Sequence, residues 1–233
     1  MQYTKLLKEV ENMAYSIAID GPAGAGKSTI AKKVAKKIGF IYVDTGAMYR
    51  AMALYFIHNQ ITGESEEQIS EACKHADITI TYVNGEQQVL LNGENVTKYL
   101  RTEEVGKMAS IGAKNKDVRV KLVELQRKLA EKEDVIMDGR DVGTQILPNA
   151  NVKIYLTASS KVRAKRRWLE LNDKGIECDI DEIEKDIIAR DEQDMNREIS
   201  PLRQAEDALL VDCSDMSIDE VVDKIIEVYN DHR

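Results

Sequence analysis

The chain has 233 residues, enough for one large α/β domain or a core with an inserted lobe. Its 43% hydrophobic content supplies a sizeable core and excludes global disorder. A formal charge of −8 argues against a general nucleic-acid binder, which shows a basic balance, so a polyanionic substrate must meet locally concentrated basic residues.

Residues 1–13 read as an N-terminal extension before the first strand, charged and without the apolar stretch of a signal peptide. No later segment approaches the length of a membrane span. Cys73, Cys178 and Cys213 are far apart and form no Cys-x-x-Cys pair, which suggests inert thiols in a reducing compartment. The expectation is a cytoplasmic protein without membrane or nucleic-acid partners.

The first apolar run, residues 15–20, predicts a buried strand. It enters Gly21-Pro22-Ala23-Gly24-Ala25-Gly26-Lys27-Ser28-Thr29, a full match to the phosphate-binding loop G-x-x-x-x-G-K-[ST]. Ser28–Ile38 follows as a helix with Ile30, Val34 and Ile38 along one face. Glycines let such a loop turn its N–H groups inward at phosphate oxygens, and the helix N-terminus adds its positive dipole end. Gly21 to Thr29 are therefore expected to hold ATP, with Lys27 reaching the β- and γ-phosphates and the Ser28 hydroxyl on Mg2+.

The second strand, residues 40–43, leads into Asp44-Thr45-Gly46-Ala47-Met48-Tyr49-Arg50 at a helix start. Asp44 then lies beside the phosphate loop, in reach of Mg2+ through a water molecule, and Arg50 can face a phosphate. Simple helix capping by Asp44 or Thr45 is the competing explanation. Residues 77–97 break the α/β pattern, because β-branched residues alternate around Asn84-Gly85 and Asn92-Gly93, the strongest short hairpin signal. They predict a small antiparallel meander inserted into the core. Residues 118–132 predict a helix with Leu122, Leu125 and Leu129 on one face.

Strand 135–138 ends in Asp138-Gly139-Arg140-Asp141. An aspartate ending a strand after a phosphate loop commonly helps hold Mg2+, and Arg140 and Asp141 then project at the strand ends where an acceptor could lie. Strand 152–156 precedes Lys161-Val162-Arg163-Ala164-Lys165-Arg166-Arg167, five positive charges in seven residues, and Arg190, Arg197 and Arg203 follow. Part of this run is expected to be a solvated helix face. The rest suits a migrating phosphoryl group, which needs positive charge around it. Residues 159–197 are read as a lid that excludes water, with an exposed loop near 172–182. The last strand, 209–212, precedes a helix opened by the capping box Ser217-x-x-Glu220. His58, His75 and His232 show no metal or triad spacing.

Strands alternating with helices imply a parallel sheet covered on both faces. The expected fold is a P-loop NTPase-type five-stranded parallel sheet with helices on both faces, an inserted antiparallel β meander and a helical Arg-rich lid. One domain at 14–230 is expected: core 14–60, 105–158 and 205–230, inserted lobe about 61–104, lid about 159–197.

From about residue 14 onward the chain resembles the bacterial cytidylate kinases of the nucleoside monophosphate kinase group. The resemblance rests on the phosphate loop, Asp44 to Arg50, Arg101-Thr102-Glu103-Glu104-Val105, Asp138 to Thr144, Val152 to Ser159 and Arg190-Asp191-x-x-Asp194. It implies transfer of the γ-phosphate of ATP to CMP or dCMP by a monomer. Carried onto this chain, it implies cytosine recognition by Ser110, Arg119 and Asp141 and ribose contacts by Arg190 and Asp194. The acceptor phosphate then falls to Arg50, Arg140 and Arg197, and Arg163 faces ATP. Lys27, Arg140, Arg163 and Arg197 are the implied catalytic set, and Asp44, Thr45, Gly46 and Tyr49 complete the acceptor site. The competing readings are another small-acceptor kinase, such as one for shikimate or dephospho-coenzyme A, and a nucleotide-switch GTPase. The meander and Asp138 to Asp141 speak against the first. The missing Asn-Lys-x-Asp guanine motif speaks against the second, since Asn115-Lys116-Asp117 lacks its spacing.

Overall fold

The computed structural model describes residues 14–233, so the N-terminal extension lies outside the described residues. Five strands, β1 (Ser16–Asp20), β2 (Ile41–Asp44), β6 (Val135–Gly139), β7 (Val152–Thr157) and β8 (Leu209–Asp212), form one parallel sheet in the order β2-β6-β1-β7-β8. A parallel strand buried on both faces must be apolar on both, and β1 is buried throughout. Ile17 and Ile19 face one apolar cluster with Ile136 and Ile154, while Ala18 faces the other with Val135 and Met137. The first cluster is closed by α1 (Lys27–Ile38) through Ile30 and Val34 and by α8 (Ile218–Asp231) through Val222 and Ile225. The second is closed by α2 (Thr45–His58) through Met48, Met52 and Phe56. Each such fully buried side chain contributes roughly 1.5–3 kcal/mol relative to exposure.

The crossovers start and stop on local chemistry. Gly39, at φ +79°, ends α1 in a left-handed turn, and the chain re-enters the sheet two residues later as β2. Asp44 closes β2 and caps α2, its Oδ1 accepting from Ala47 N at 2.9 Å. Ser65, Thr102 and Asn115 cap α3 (Glu66–Lys74), α4 (Glu103–Gly112) and α5 (Lys116–Ala130) in the same way. Ser217 and Glu220 form the reciprocal capping box of α8.

The meander is β3 (Ile78–Val83), β4 (Glu86–Leu91) and β5 (Glu94–Asn95), turning on Asn84-Gly85 and Asn92-Gly93. All four turn residues have positive φ, the condition for tight hairpin turns that match strand twist. The meander covers the free edge of β2 with side chains. Gln87 accepts from Asp44 N at 2.7 Å and donates to Asp44 O at 3.3 Å, and Tyr82 Oη donates to Tyr42 O at 3.2 Å. A side-chain amide thus imitates the next strand, which leaves this edge closed to foreign strands.

The lid segment is two packed helices, α6 (Ser160–Asp173) and α7 (Ile180–Asn196). Their connection, 174–179, is shorter than the expected loop at 172–182, because α6 runs on to Asp173 and Asp179 caps α7 by accepting from Asp181 N and Glu182 N.

Candidate active site

The phosphate loop lies between β1 and α1, at the carboxyl end of the sheet. Its glycines are required for two different reasons. Gly21 has φ +147°, and a Cβ there would lie 1.9 Å from the Leu156 carbonyl oxygen, so no other residue fits against β7. Gly26 has φ +93° with open space around it, so there the requirement is backbone conformation alone. Lys27 is buried and donates to the Gly21 and Pro22 carbonyl oxygens at 2.8 Å each. Burial, and next the charge of Arg140, pull its pKa down to about 7. An ammonium so poorly solvated is poised to be stabilised by phosphate.

Asp20, Asp44 and Asp138 stand at the carboxyl ends of the neighbouring strands β1, β2 and β6, and the three carboxylates do different work. Asp138 Oδ2 accepts from Ser28 Oγ at 2.9 Å, and its Oδ1 accepts from Tyr42 Oη at 2.7 Å. Burial, then Asp138, hold the Tyr42 phenol far above its usual range, so it remains a donor. Burial also raises the Asp138 carboxyl. Asp44 spends one oxygen on its cap, and its Oδ2 accepts from Arg101 Nη2 at 2.8 Å. Thr45 Oγ1 donates to Asp138 O at 2.7 Å, which ties α2 to β6. Asp20 turns toward residues 142 and 143.

Asp141 sits inside a basic clamp. Its Oδ2 accepts from Arg119 and its Oδ1 from Arg197 Nη2 at 3.4 Å, and all three side chains are over 90% buried. Ser200 closes the group, its hydroxyl oxygen accepting from Arg119 Nε at 3.2 Å and its carbonyl from Arg197 Nε. The Arg119 guanidinium lies 5.7 Å from the Tyr49 ring centroid. Tyr49 Oη is buried without a hydrogen-bond partner among the described residues, and burial pushes its pKa up to about 12. Ser110 is half-buried and bonds its own helix, donating to Gly106 O at 3.2 Å, with no hydrogen bond to Arg119 or Asp141.

Arg140 Nε donates to Asp194 Oδ2 at 2.8 Å. Arg190 has a buried Nε without a partner. Arg50 and Arg190 are both held below the usual guanidinium range, first by burial, then by neighbouring charge that includes Arg140 in both cases. Gly46 leaves room for Arg50, whose Nη1 would be 3.0 Å from a Cβ at that position. Lys27, Arg50, Arg140 and Arg190 therefore press positive charge into a common region. A cavity of about 140 Å3 opens beside Arg50, lined in part by Asp44, Arg101, Lys32, Tyr42 and Gln87.

The basic run on α6 divides. Arg163 is buried and fully engaged: Nε donates to Ala158 O at 2.8 Å, Nη1 to Ala23 O at 2.9 Å, and Nη2 pairs with Asp191 at 2.6 Å. It thus holds the phosphate loop to the lid rather than standing free. Arg166 Nη2 donates to Cys213 O at 2.8 Å. Lys161 and Lys165 are exposed, and Arg167 makes a surface pair with Glu170, the solvated face that a basic helix normally shows. Arg203 is exposed.

Sequence reasoning did not single out the roles of Tyr42, Arg101, Gln87, Asp191 or Ser200. Arg101 and Asp191 lie in two of the segments that carry the family resemblance. Tyr42 is an ordinary apolar strand position whose hydroxyl finds Asp138 only through the β2–β6 register, in which Asp44 stands opposite Asp138. Among the described residues no cluster of three His, Cys, Asp or Glu side chains stands ready for a metal. Ser28 and Asp138 offer the hard oxygen donors that suit Mg2+, an ion that keeps waters and takes substrate phosphates as further ligands. No helix among the described residues is long and apolar enough to cross a membrane.

A family model described as cytidylate kinase matches residues 17–231. The chain is 51% identical over 214 residues to the cytidylate kinase of Caldicellulosiruptor saccharolyticus, covering 92% of this chain and 95% of that one. It is 49% identical over 212 residues to the cytidylate kinase of Bacillus subtilis, covering 91% and 95%. Among solved structures, an uncharacterized protein from Eubacterium ventriosum matches with a TM-score of 0.53 at 16% identity, covering 94% of this chain and 99% of that chain, a likeness of fold.

Proposed function

Because the chain belongs to the cytidylate kinase family, we propose that it transfers the γ-phosphate of ATP to CMP or dCMP, releasing ADP with CDP or dCDP. The observation that carries this reading is the crowding of positive charge around Arg140: Lys27, Arg50 and Arg190 are each desolvated and each repelled by the Arg140 guanidinium. Such an arrangement costs free energy unless anions neutralise it, and two facing phosphate groups would do so.

In this reading Gly21 to Thr29 cradle the ATP phosphates. Lys27 leaves the Gly21 and Pro22 carbonyls for the β- and γ-phosphates. Bound with ATP, magnesium would supply positive charge against the phosphates. Ser28 and Asp138 would hold it, with Asp44 reaching it through water. Arg50, Arg140 and Arg197 grip the acceptor phosphate, so that an acceptor oxygen attacks the γ-phosphorus in line as the bond to the β-phosphate oxygen breaks. Ser110, Arg119 and Asp141 read cytosine: a carboxylate accepts from the base amino group, while hydroxyl and guanidinium donate to its ring oxygen and nitrogen. Arg190 and Asp194 take the ribose, and Tyr49 Oη, Thr45 and Gly46 line the same pocket. The lobe at about 61–104 and the α6–α7 lid close on the core, excluding the water that would otherwise accept the phosphoryl group. Arg163 keeps the lid registered on the phosphate loop. A cytoplasmic monomer, with nucleotides as its partners and neither nucleic acid nor membrane, fits the acidic balance.

Coupled ADP release with Mg-ATP and CMP, dCMP, UMP, AMP, GMP, shikimate or dephospho-coenzyme A tests the proposal. Turnover confined to CMP and dCMP is expected. Turnover with a different acceptor would keep the kinase core and discard the base pocket, and no acceptor-dependent turnover would discard the kinase reading.

A further inference from the structure

Asp20 is the residue immediately before the phosphate loop, yet its side chain serves a different segment. Its Oδ1 accepts from Val142 N at 2.8 Å and its Oδ2 from Gly143 N at 2.7 Å. These two N–H groups open a short wide helical turn, Val142–Ile146, and the first N–H groups of any helical turn have no partner within it. The residue placed to cap that turn is Asp141, but its side chain makes no capping bond. Its carboxylate is held by Arg119 and Arg197 instead. Capping has been transferred from Asp141 to a carboxylate on another strand.

We propose that Asp20 is a positioning residue for phosphoryl transfer: by capping the Val142–Ile146 turn it frees the Asp141 carboxylate for the acceptor and fixes Arg140 and Asp141 relative to the phosphate loop. This deepens the cytidylate reading and rests on it. The link is short in both directions. Asp20 is bonded to Gly21 of the donor loop, and its two hydrogen bonds reach the residues directly following Asp141. The backbone of Gly143 packs directly against the carboxylate, with a Cβ there falling at ordinary contact distance, 3.4 Å, from Asp20 Oδ2. Asp20 is 5% exposed, and burial raises its pKa to about 6 despite both backbone donors. An apolar residue at the end of β1 would avoid that desolvation, so a carboxylate retained there points to a positional role.

The test compares Asp20→Asn with Asp141→Asn and the double variant, using steady-state kinetics with CMP and UMP, calorimetric Mg-ATP affinity and thermal unfolding. Asn at residue 20 keeps the shape but turns an NH2 against one of the two N–H donors. At a temperature where the variant is folded, Asp20→Asn is expected to raise KM for CMP and lower kcat by about tenfold each. Mg-ATP affinity should stay within about twofold of the parent value. The preference for CMP over UMP should shrink, and the two substitutions should combine less than multiplicatively in kcat/KM. A purely structural cap would lower the unfolding temperature and leave KM for CMP and base preference unchanged, which would overturn the proposal. If Asp141→Asn itself leaves CMP use intact, the base-site reading falls, whatever Asp20→Asn does. Should Asp20→Asn fail to fold, Asp20→Ser keeps only a shorter and weaker acceptor for the two N–H groups. It should raise KM for CMP severalfold without loss of Mg-ATP affinity, and an unchanged KM would overturn the proposal.

Discussion

The phosphate loop and the Asp141 clamp lie a few residues apart across the sheet edge, yet they hold charge in opposite ways. The loop is nine consecutive residues, and its one buried cation rests on two backbone carbonyls. The clamp gathers Tyr49, Arg119, Asp141, Arg197 and Ser200 from well-separated segments, and buried charge there rests on opposite buried charge. In the loop, backbone shape provides the site and the lysine is an added charge. In the clamp, the groups proposed to read the acceptor also join helices to the sheet. Removing the Lys27 side chain should therefore affect chemistry far more than stability, whereas removing a clamp side chain should affect both together.

Lys27→Ala breaks the comparison most directly. It removes charge that the transition state needs, and a fall in kcat of about 100- to 1000-fold or more is expected. The folded state is relieved of a desolvated ammonium but gives up two hydrogen bonds to backbone carbonyls and a counter-charge for Asp20 and Asp138, opposing effects that should leave the urea midpoint little changed. Near-normal turnover would overturn the phosphate-loop assignment, and a large loss of stability would overturn the contrast.

Asp141→Ala attacks the other region. Arg119 and Arg197 would be left buried without their counter-charge, a change that typically costs about 3–5 kcal/mol. Urea unfolding should show that loss, and at permissive denaturant-free conditions CMP use should suffer far more than ATP binding. If ATP affinity collapses and CMP use survives, Asp141 has been misplaced.

The two regions were also unequally readable from the amino acids. The five sheet strands were visible because parallel strands buried on both faces are continuous apolar runs, and their observed ends fall within one or two residues of those runs. The Asn-Gly turns and the phosphate loop are local signals and needed no tertiary knowledge. Partnering inside the clamp was not visible. Arg119 and Asp141 are 22 residues apart, and Arg140 and Asp194 are 54 apart, so which arginine meets which carboxylate depends on helix placement in space. Asp20, Asp44 and Asp138 stand alike at the carboxyl ends of three neighbouring strands. Only the sheet register separates them into a cap for residues 142–143, a cap with an Arg101 pair, and the acceptor of the Ser28 and Tyr42 hydroxyls.

A titration sharpens the comparison from the loop side. The Lys27 pKa is lowered to about 7, first by burial, so the free protein loses this charge as pH rises through that value. Bound phosphates restore it. At about pH 8, where ATP is already fully ionised, Mg-ATP binding should take up a substantial fraction of a proton, and at about pH 6 the uptake should vanish. Binding enthalpy measured in buffers of different ionisation enthalpy reports this directly. Equal uptake in Lys27→Ala at the higher pH would assign the proton elsewhere.

The smallest expected effect tests whether backbone shape near the loop depends on the meander. Gln87 satisfies both the N–H and the carbonyl of Asp44, the residue that caps α2 and pairs with Arg101. Gln87→Ala leaves those two backbone groups to water at a partly buried edge, a loss of about 1 kcal/mol and a drop of a few degrees in unfolding temperature. Because Asp44 keeps its own cap to Ala47, the phosphate loop should be untouched and Mg-ATP affinity unchanged. KM for CMP should rise about two- to threefold, since the α2 N-terminus that carries Tyr49 and Arg50 loses one restraint. A matching rise in KM for ATP would mean that the meander braces both regions, and that the separation between a backbone-built loop and a charge-built clamp stops at the β2 edge.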